Sequence, residues 1–356
     1  MIVRPHPNLL NVLLALKGSI ARRIATRSLA VTLLAALIVL IENLHPEYFS
    51  KVSAVPFTLL GLSLSIFMSF RNNACYDRWY EARKAWGDVI TEIRSIIRET
   101  QVIKDVSVRS PILRDLCGFA HALNATLRRE DVRKVAQPWL SRVPSEEGAN
   151  FCDRVLREIG LQCSNASDSG HINEWRYTLL ANHLSVISRA VTACERIKGT
   201  PLPFPYTLLL HRTIYLFCIL LPFVMAEPLG WVTPLFMAIV SYTFFGLDAI
   251  GNELEDPFGF DENDLPLDAL VRVIERDILD ALGETPLPPL LEPVDFVDLR
   301  RDPGSRLIRL CEILCERAWS GRHSDECGRA ELTNVSDTQL RSRASCSYGV
   351  HFHCLG

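Results

Sequence analysis

The 356-residue sequence has no HExxH pair, no glycine-rich phosphate loop and no nucleophile elbow, so the common signatures of metal-dependent hydrolysis, nucleotide binding and acyl transfer are missing. No run of alternating apolar and polar residues is long enough to make a strand, which argues against a sheet-based fold. Neither sign of charge dominates. The 38 basic and 41 acidic residues leave a net −3, which gives no basis for a nucleic-acid partner. Eleven cysteines are present, but their irregular spacing within helical and apolar stretches excludes a disulfide framework, and they read as reduced thiols.

What is abundant is apolar residue: 48% of the chain is hydrophobic beside 22% charged, with a mean hydropathy of +0.14. This balance implies membrane segments separated by polar helical blocks. Four spans are expected. The first, 28–41, is short and must start near Ile24 or run past Glu42, with Tyr48 and Phe49 as interfacial anchors. The others are 56–70, 207–225 and 232–247. Lys17, Arg22, Arg23 and Arg27 precede the first span, and Arg71, Arg78, Arg83 and Lys84 follow the second, so both termini are expected in the cytoplasm. Leu9, Leu13 and Leu16 share one helical face and no small-x-small cleavage site follows, so residues 1–23 read as an interfacial helix rather than a signal peptide.

The stretch from Val55 to Trp86 organises the rest, because an apolar run passes into a charged amphipathic helix with no breaker between them. Gly61, Ser65 and Ser69 form a small-xxx-small stripe suited to close helix approach around a pore. One position along, Leu62, Ile66 and Phe70 form a bulky apolar stripe. Such a row is ordinary core or lipid-facing surface in most helices. In a ring of helices it is a hydrophobic constriction of the kind that gates by dewetting. Trp79, Trp86, Ile90, Ile93 and Ile97 continue the helical period into the cytosol.

The region 104–205 reads as soluble helices over 111–130, 151–160 and 174–197, with breaks at 137–148 and 162–170. Three prolines within GTPLPFPY, 199–206, forbid regular helix there, and the loop AEPLGW separates the last two spans. His211 and Arg212, in the first turns of the third span, read as interfacial side chains reaching toward headgroups rather than as a relay. After the fourth span come Asp248, Glu253, Glu255, Asp256, Asp261, Glu262 and Asp264 around a turn at Pro257 and Gly259. Their carboxylates are either Ca²⁺ ligands or partners for arginines. An amphipathic helix over 265–282 and a proline-rich extended segment follow. The tail has five cysteines and three histidines without CxxC spacing and reads as disordered.

The strings VPFTLLGLSLSIFMSFRNNACYDRWYEARKAWG, CERIKGTPLPFPYTLLLHRTIYLFCILLPF and LEDPFGFDENDLPLDAL resemble the bestrophin family, specifically its bacterial branch, over roughly residues 1–295. The resemblance implies an all-α integral membrane protein with four transmembrane helices and a large helical cytosolic region, assembled as a homopentamer around one central pore. It implies a pore neck of Leu62, Ile66 and Phe70, with Gly61, Ser65 and Ser69 packing around it. The expected function is passive conduction of small monovalent ions across the inner membrane, an anion (chloride) channel in the first instance. The alternative is a monovalent cation (Na⁺/K⁺) channel, since Leu62 and Ile66 are aliphatic where animal members are more aromatic and lack the electropositive ring edges that favour an anion. A non-conducting membrane scaffold and a metal-using membrane enzyme are the competing classes, and the enzyme is set aside for want of a catalytic motif. No cofactor is expected. Asp261, Glu262 and Asp264 are the candidate Ca²⁺ site, thinner than the acidic run of animal members. The expected partners are other copies of the chain, the lipid bilayer and permeant inorganic ions. The expected layout is 1–23 interfacial helix, 24–103 first two spans with the cytosolic extension, 104–205 helical region, 206–248 last two spans, 249–299 acidic segment, helix and proline-rich segment, and 300–356 tail.

Overall fold

A computed structural model describes residues 20–45, 53–144, 150–261 and 263–291, all within the unit Met1–Val297. The expected features at 1–19, at Tyr48 and Phe49, at Glu262 and in the tail lie outside these residues. Nine α-helices occur among the described residues: α1 (Ala21–Leu44), α2 (Val55–Glu99), α3 (Val106–Arg128), α4 (Val132–Ala136), α5 (Phe151–Asp168), α6 (Glu174–Gly199), α7 (Phe204–Leu229), α8 (Thr233–Glu255) and α9 (Leu267–Leu282).

Three apolar clusters are buried among the described residues, and α2 belongs to the two larger ones. Its first half supplies Leu64 and Met68 to a cluster with Ile24 and Val31 of α1, Leu210, Ile214 and Phe217 of α7, and Met237 and Phe245 of α8. Its second half supplies Trp86, Val89, Ile93 and Ile96 to a larger cluster with α3, α5, α6 and α9. At 1.5 Å per residue, the 45-residue α2 is about 68 Å long. It therefore ties the two regions together as one rigid element.

The two regions differ in their outer surfaces. Around α1, Leu29, Leu33, Leu37 and Leu40 are all exposed, as are Leu209 and Leu216 on α7 and Leu235, Phe236 and Ile239 on α8. A helix that is apolar on its outer as well as its inner face belongs in lipid. Two stretches are long and apolar enough to cross a membrane, Ala21–Leu44 and Phe204–Glu255, the second comprising α7 and α8 joined by a 3₁₀ turn at Gly230–Val232. The expected second span, at the start of α2, is not among them, because only the 16 residues from Val55 to Phe70 precede the buried, charged Arg71.

Several boundaries depart from the sequence reading. Residues 162–168, expected as a break, complete α5, since Cys163 and Ala166 continue its buried stripe and outweigh the weak helix propensity of Ser and Asn. α3 starts at Val106 rather than at Pro111, with the Asp105 side chain capping the Ser107 amide at 2.9 Å. Within the proline-rich stretch, α7 resumes at Phe204 with Pro205 in its first turn, where a missing N–H costs nothing. The AEPLGW loop is helical up to Leu229. Asp248, Glu253 and Glu255 are not in a segment after the fourth span but in the last turns of α8.

Candidate functional site: the outward face of α2 and its anchor

The first half of α2 has two opposite faces. Leu64, Met68, Arg71 and Cys75, at helical spacing, are buried against α7 and α8. On the other side Leu62 is 60% exposed, Ile66 47% and Phe70 62%, with Leu59 and Phe67 beside them. Over eight residues this row extends about 12 Å along the helix. None of the described residues covers it, although the same helix buries its other face completely.

The small stripe is divided between two roles. A Cβ at Gly61 would lie 3.0 Å from Cζ of Phe217, so the missing side chain admits a ring from α7 of the same chain. Ser65 and Ser69 are exposed, and the Ser65 hydroxyl donates back to the Gly61 carbonyl at 2.8 Å.

Immediately beyond Phe70 the helix is anchored by charge. Arg71 has no exposed surface, and its Nη1 donates to Oδ1 of Asp248 at 2.7 Å while Nη2 bonds the Asn252 side chain and lies 3.8 Å from Glu255. The other oxygen of Asp248 meets His211 Nδ1 at 3.0 Å. His211 thus turns into the protein, contrary to the headgroup role expected from its position, because Asp248 is 1% exposed and its second oxygen needs a partner. Arg212 is exposed. The side chains of Asn72 and Arg71 lie directly on the backbone of α8 here: a Cβ at Gly251 would lie 2.6 Å from Asn72 Oδ1 and 3.3 Å from Arg71 Cζ.

Two turns on, Arg78 donates to the carbonyls of Ile197 and Thr200, both at 2.6 Å, and of Glu255 at 3.2 Å. This guanidinium satisfies terminal carbonyls of α6 and α8 together. Between the two arginines in sequence, the Cys75 side chain is fully buried. Arginines 71 and 78 hold the bottom of the apolar half of α2 in a fixed orientation. The sequence shows an arginine after an apolar run and an aspartate after another, but not that they meet across 177 residues.

The acidic segment is engaged with the protein. Arg23 lies 2.8 Å from Asp261 and 2.9 Å from Glu253, and Asn263 donates to Glu253 at 2.7 Å. Asp264 is buried and accepts from the Asp261 amide at 2.7 Å. Burial pushes its carboxyl up to about 6, with the negative neighbours Asp261, Asp256 and Glu253 adding to the effect. Among the described residues, no group of three or more His, Cys, Asp or Glu side chains is placed to hold a metal ion.

Residues 1–280 match the profile of the bacterial/fungal bestrophin proteins. A voltage-dependent anion channel-forming protein of Mesorhizobium japonicum is 42% identical over 299 residues, covering 83% of this chain and 96% of that one. A protein of the same name from Escherichia coli K12 is 38% identical over 301 residues, covering 82% and 98%. The crystal structure of a bacterial bestrophin homologue from Klebsiella pneumoniae matches with a TM-score of 0.70 at 34% identity, over 74% of this chain and 100% of that one. With this likeness in sequence and in fold, the chain belongs to the bacterial/fungal bestrophin family, a family of membrane ion channels and not of enzymes.

Proposed function

We propose that five copies of this chain assemble around one axis as an ion channel, with α1, the first half of α2, α7 and α8 spanning the inner membrane and both termini in the cytoplasm. The observation that carries the reading is the face of α2. Leu62, Ile66 and Phe70 are exposed in a row opposite a fully packed face, on a helix fixed below by buried Arg71. Around an axis that row is a narrow apolar neck, which passes ions only while it is wetted. An anion is the favoured permeant ion, on the strength of the names that the Mesorhizobium and Escherichia relatives carry. A monovalent cation is the second reading, favoured by the aliphatic character of Leu62 and Ile66, which offer no electropositive ring edge to an anion.

The proposed channel works without a resident cofactor. Ca²⁺ at Asp261 and Asp264 would have to displace Arg23 from Asp261, a contact already 2.8 Å long. The deciding measurement is the reversal potential of purified protein in a planar bilayer under a KCl gradient, with and without Ca²⁺. A potential near the chloride limit that Ca²⁺ leaves unchanged is the expected result. A potential near the potassium limit replaces the anion with the cation reading. Absence of current from an intact oligomer sinks the channel and leaves the membrane scaffold.

A further inference from the structure

The exposed row on α2 does not stop at Phe70. Counting about 100° per residue from Ile66, Asn73, Asp77, Tyr80, Lys84 and Asp88 all fall within about 40° of the same line along the helix. All five are exposed, whereas Arg71, Cys75, Ala82 and Val89 occupy the opposite, buried side. The stripe that forms the neck therefore continues as a polar stripe below it. Its charged members are unpaired among the described residues, as is Arg83 about 100° away, whereas other charges of α2 are held by neighbouring helices. Glu81 is paired with Arg196, Glu92 with His183 and Arg94 with Asp277, yet Asp77, Lys84 and Asp88 have no hydrogen-bond or ion-pair partner among the described residues. A charge without a partner among the described residues, aligned with the constriction, faces whatever that constriction faces.

Resting on the pore reading above, we infer that Asp77 is a specificity-determining residue. It lies seven residues beyond Phe70, about 10 Å along the helix, and is the first charge on this stripe past the neck. In a ring of copies it becomes a ring of carboxylates at the cytosolic mouth, which concentrates cations and repels anions. Lys84 supplies a ring of opposite sign two turns farther on, and Asp88 a third, negative ring beyond it. The ring nearest the narrow segment dominates, because Asp77 lies about one screening length from Phe70 at 0.1 M salt and Lys84 about two. Asp77 thus shifts the permeability ratio toward cations relative to the ratio that the apolar neck sets, while the neck decides which ion is favoured.

The test is the cation-to-anion permeability ratio from reversal potentials in full-length protein, wild type against Asp77→Asn, Asp77→Glu and Asp77→Lys, at 0.1 M and at 1 M KCl. The ratio falls about threefold or more for Asp77→Asn, falls further for Asp77→Lys, and is kept by Asp77→Glu. The difference between wild type and Asp77→Asn shrinks at 1 M, where the screening length drops to about 3 Å. An unchanged ratio in a conducting Asp77→Asn variant at 0.1 M overturns the assignment and leaves the pore reading intact. No current from wild-type oligomer overturns the pore reading itself. Should the Asn variant fail to assemble, the wild-type ratio decides: a ratio equal at the two salt concentrations overturns the role of Asp77.

Discussion

At the scale of single residues, the decisive group is Arg71. A guanidinium with no solvent exposure is tolerated only because Asp248, Asn252 and Glu255 surround it, and removing it leaves Asp248 buried with only His211 beside it. Breaking a buried pair from one side costs about 3–5 kcal/mol. Arg71→Ala is therefore expected to lower the thermal midpoint of the detergent-solubilised protein by many degrees, and replacing Asp248 with Leu in the same chain is expected to recover much of that loss. If Arg71→Ala unfolds at the wild-type temperature, the pair does not anchor α2. The sequence made Arg71 visible only as a topology marker at the end of a span. Its partner is 177 residues away, and no local pattern links the two.

At the scale of helices, α2 is legible from sequence throughout. Its apolar period runs unbroken from the membrane stretch into Trp86, Ile93 and Ile97, and the structure has one helix from Val55 to Glu99. What periodicity does not show is which neighbour each stripe meets. The small residue Gly61 has the look of a site where helices of different copies approach, yet its contact is Phe217 on α7 of the same chain. Gly61→Ala places a methyl group 3.0 Å from that ring, so the ring must shift by a few tenths of an ångström, and the change is expected to cost about 1 kcal/mol. Gly61→Ala combined with Phe217→Leu should regain stability in thermal unfolding. A fully stable Gly61→Ala single variant would show that the α2 and α7 contact is loose. The end of α5 teaches the same lesson: 162–168 reads as a break by composition and is helical because Cys163 and Ala166 are buried against the cytosolic core.

At the scale of the whole molecule, one long helix joins the two larger apolar clusters, and on its first half the row Leu62, Ile66 and Phe70 is left uncovered by the described residues. If that row is a neck, a polar group within it should ease wetting. Ile66→Asn is expected to raise the open probability or leak of reconstituted protein at least several-fold without altering its elution as an oligomer. An unchanged current would place the row against lipid or a neighbouring helix instead. The sequence alone determined the helical class, the apolar stretches of α1, α7 and α8, the continuity of α2 and the likeness to bestrophins, because each is written in local period and in contiguous motifs. Tertiary structure alone decided that Arg71, Asp248 and His211 meet, that Gly61 faces Phe217, and that Glu253, Glu255 and Asp261 lie beside arginines while Asp256 pairs with Lys198. Those are contacts between segments far apart in the chain, fixed by which faces of the helices the two cores bury, and burial is a property of the packed molecule rather than of any stretch within it.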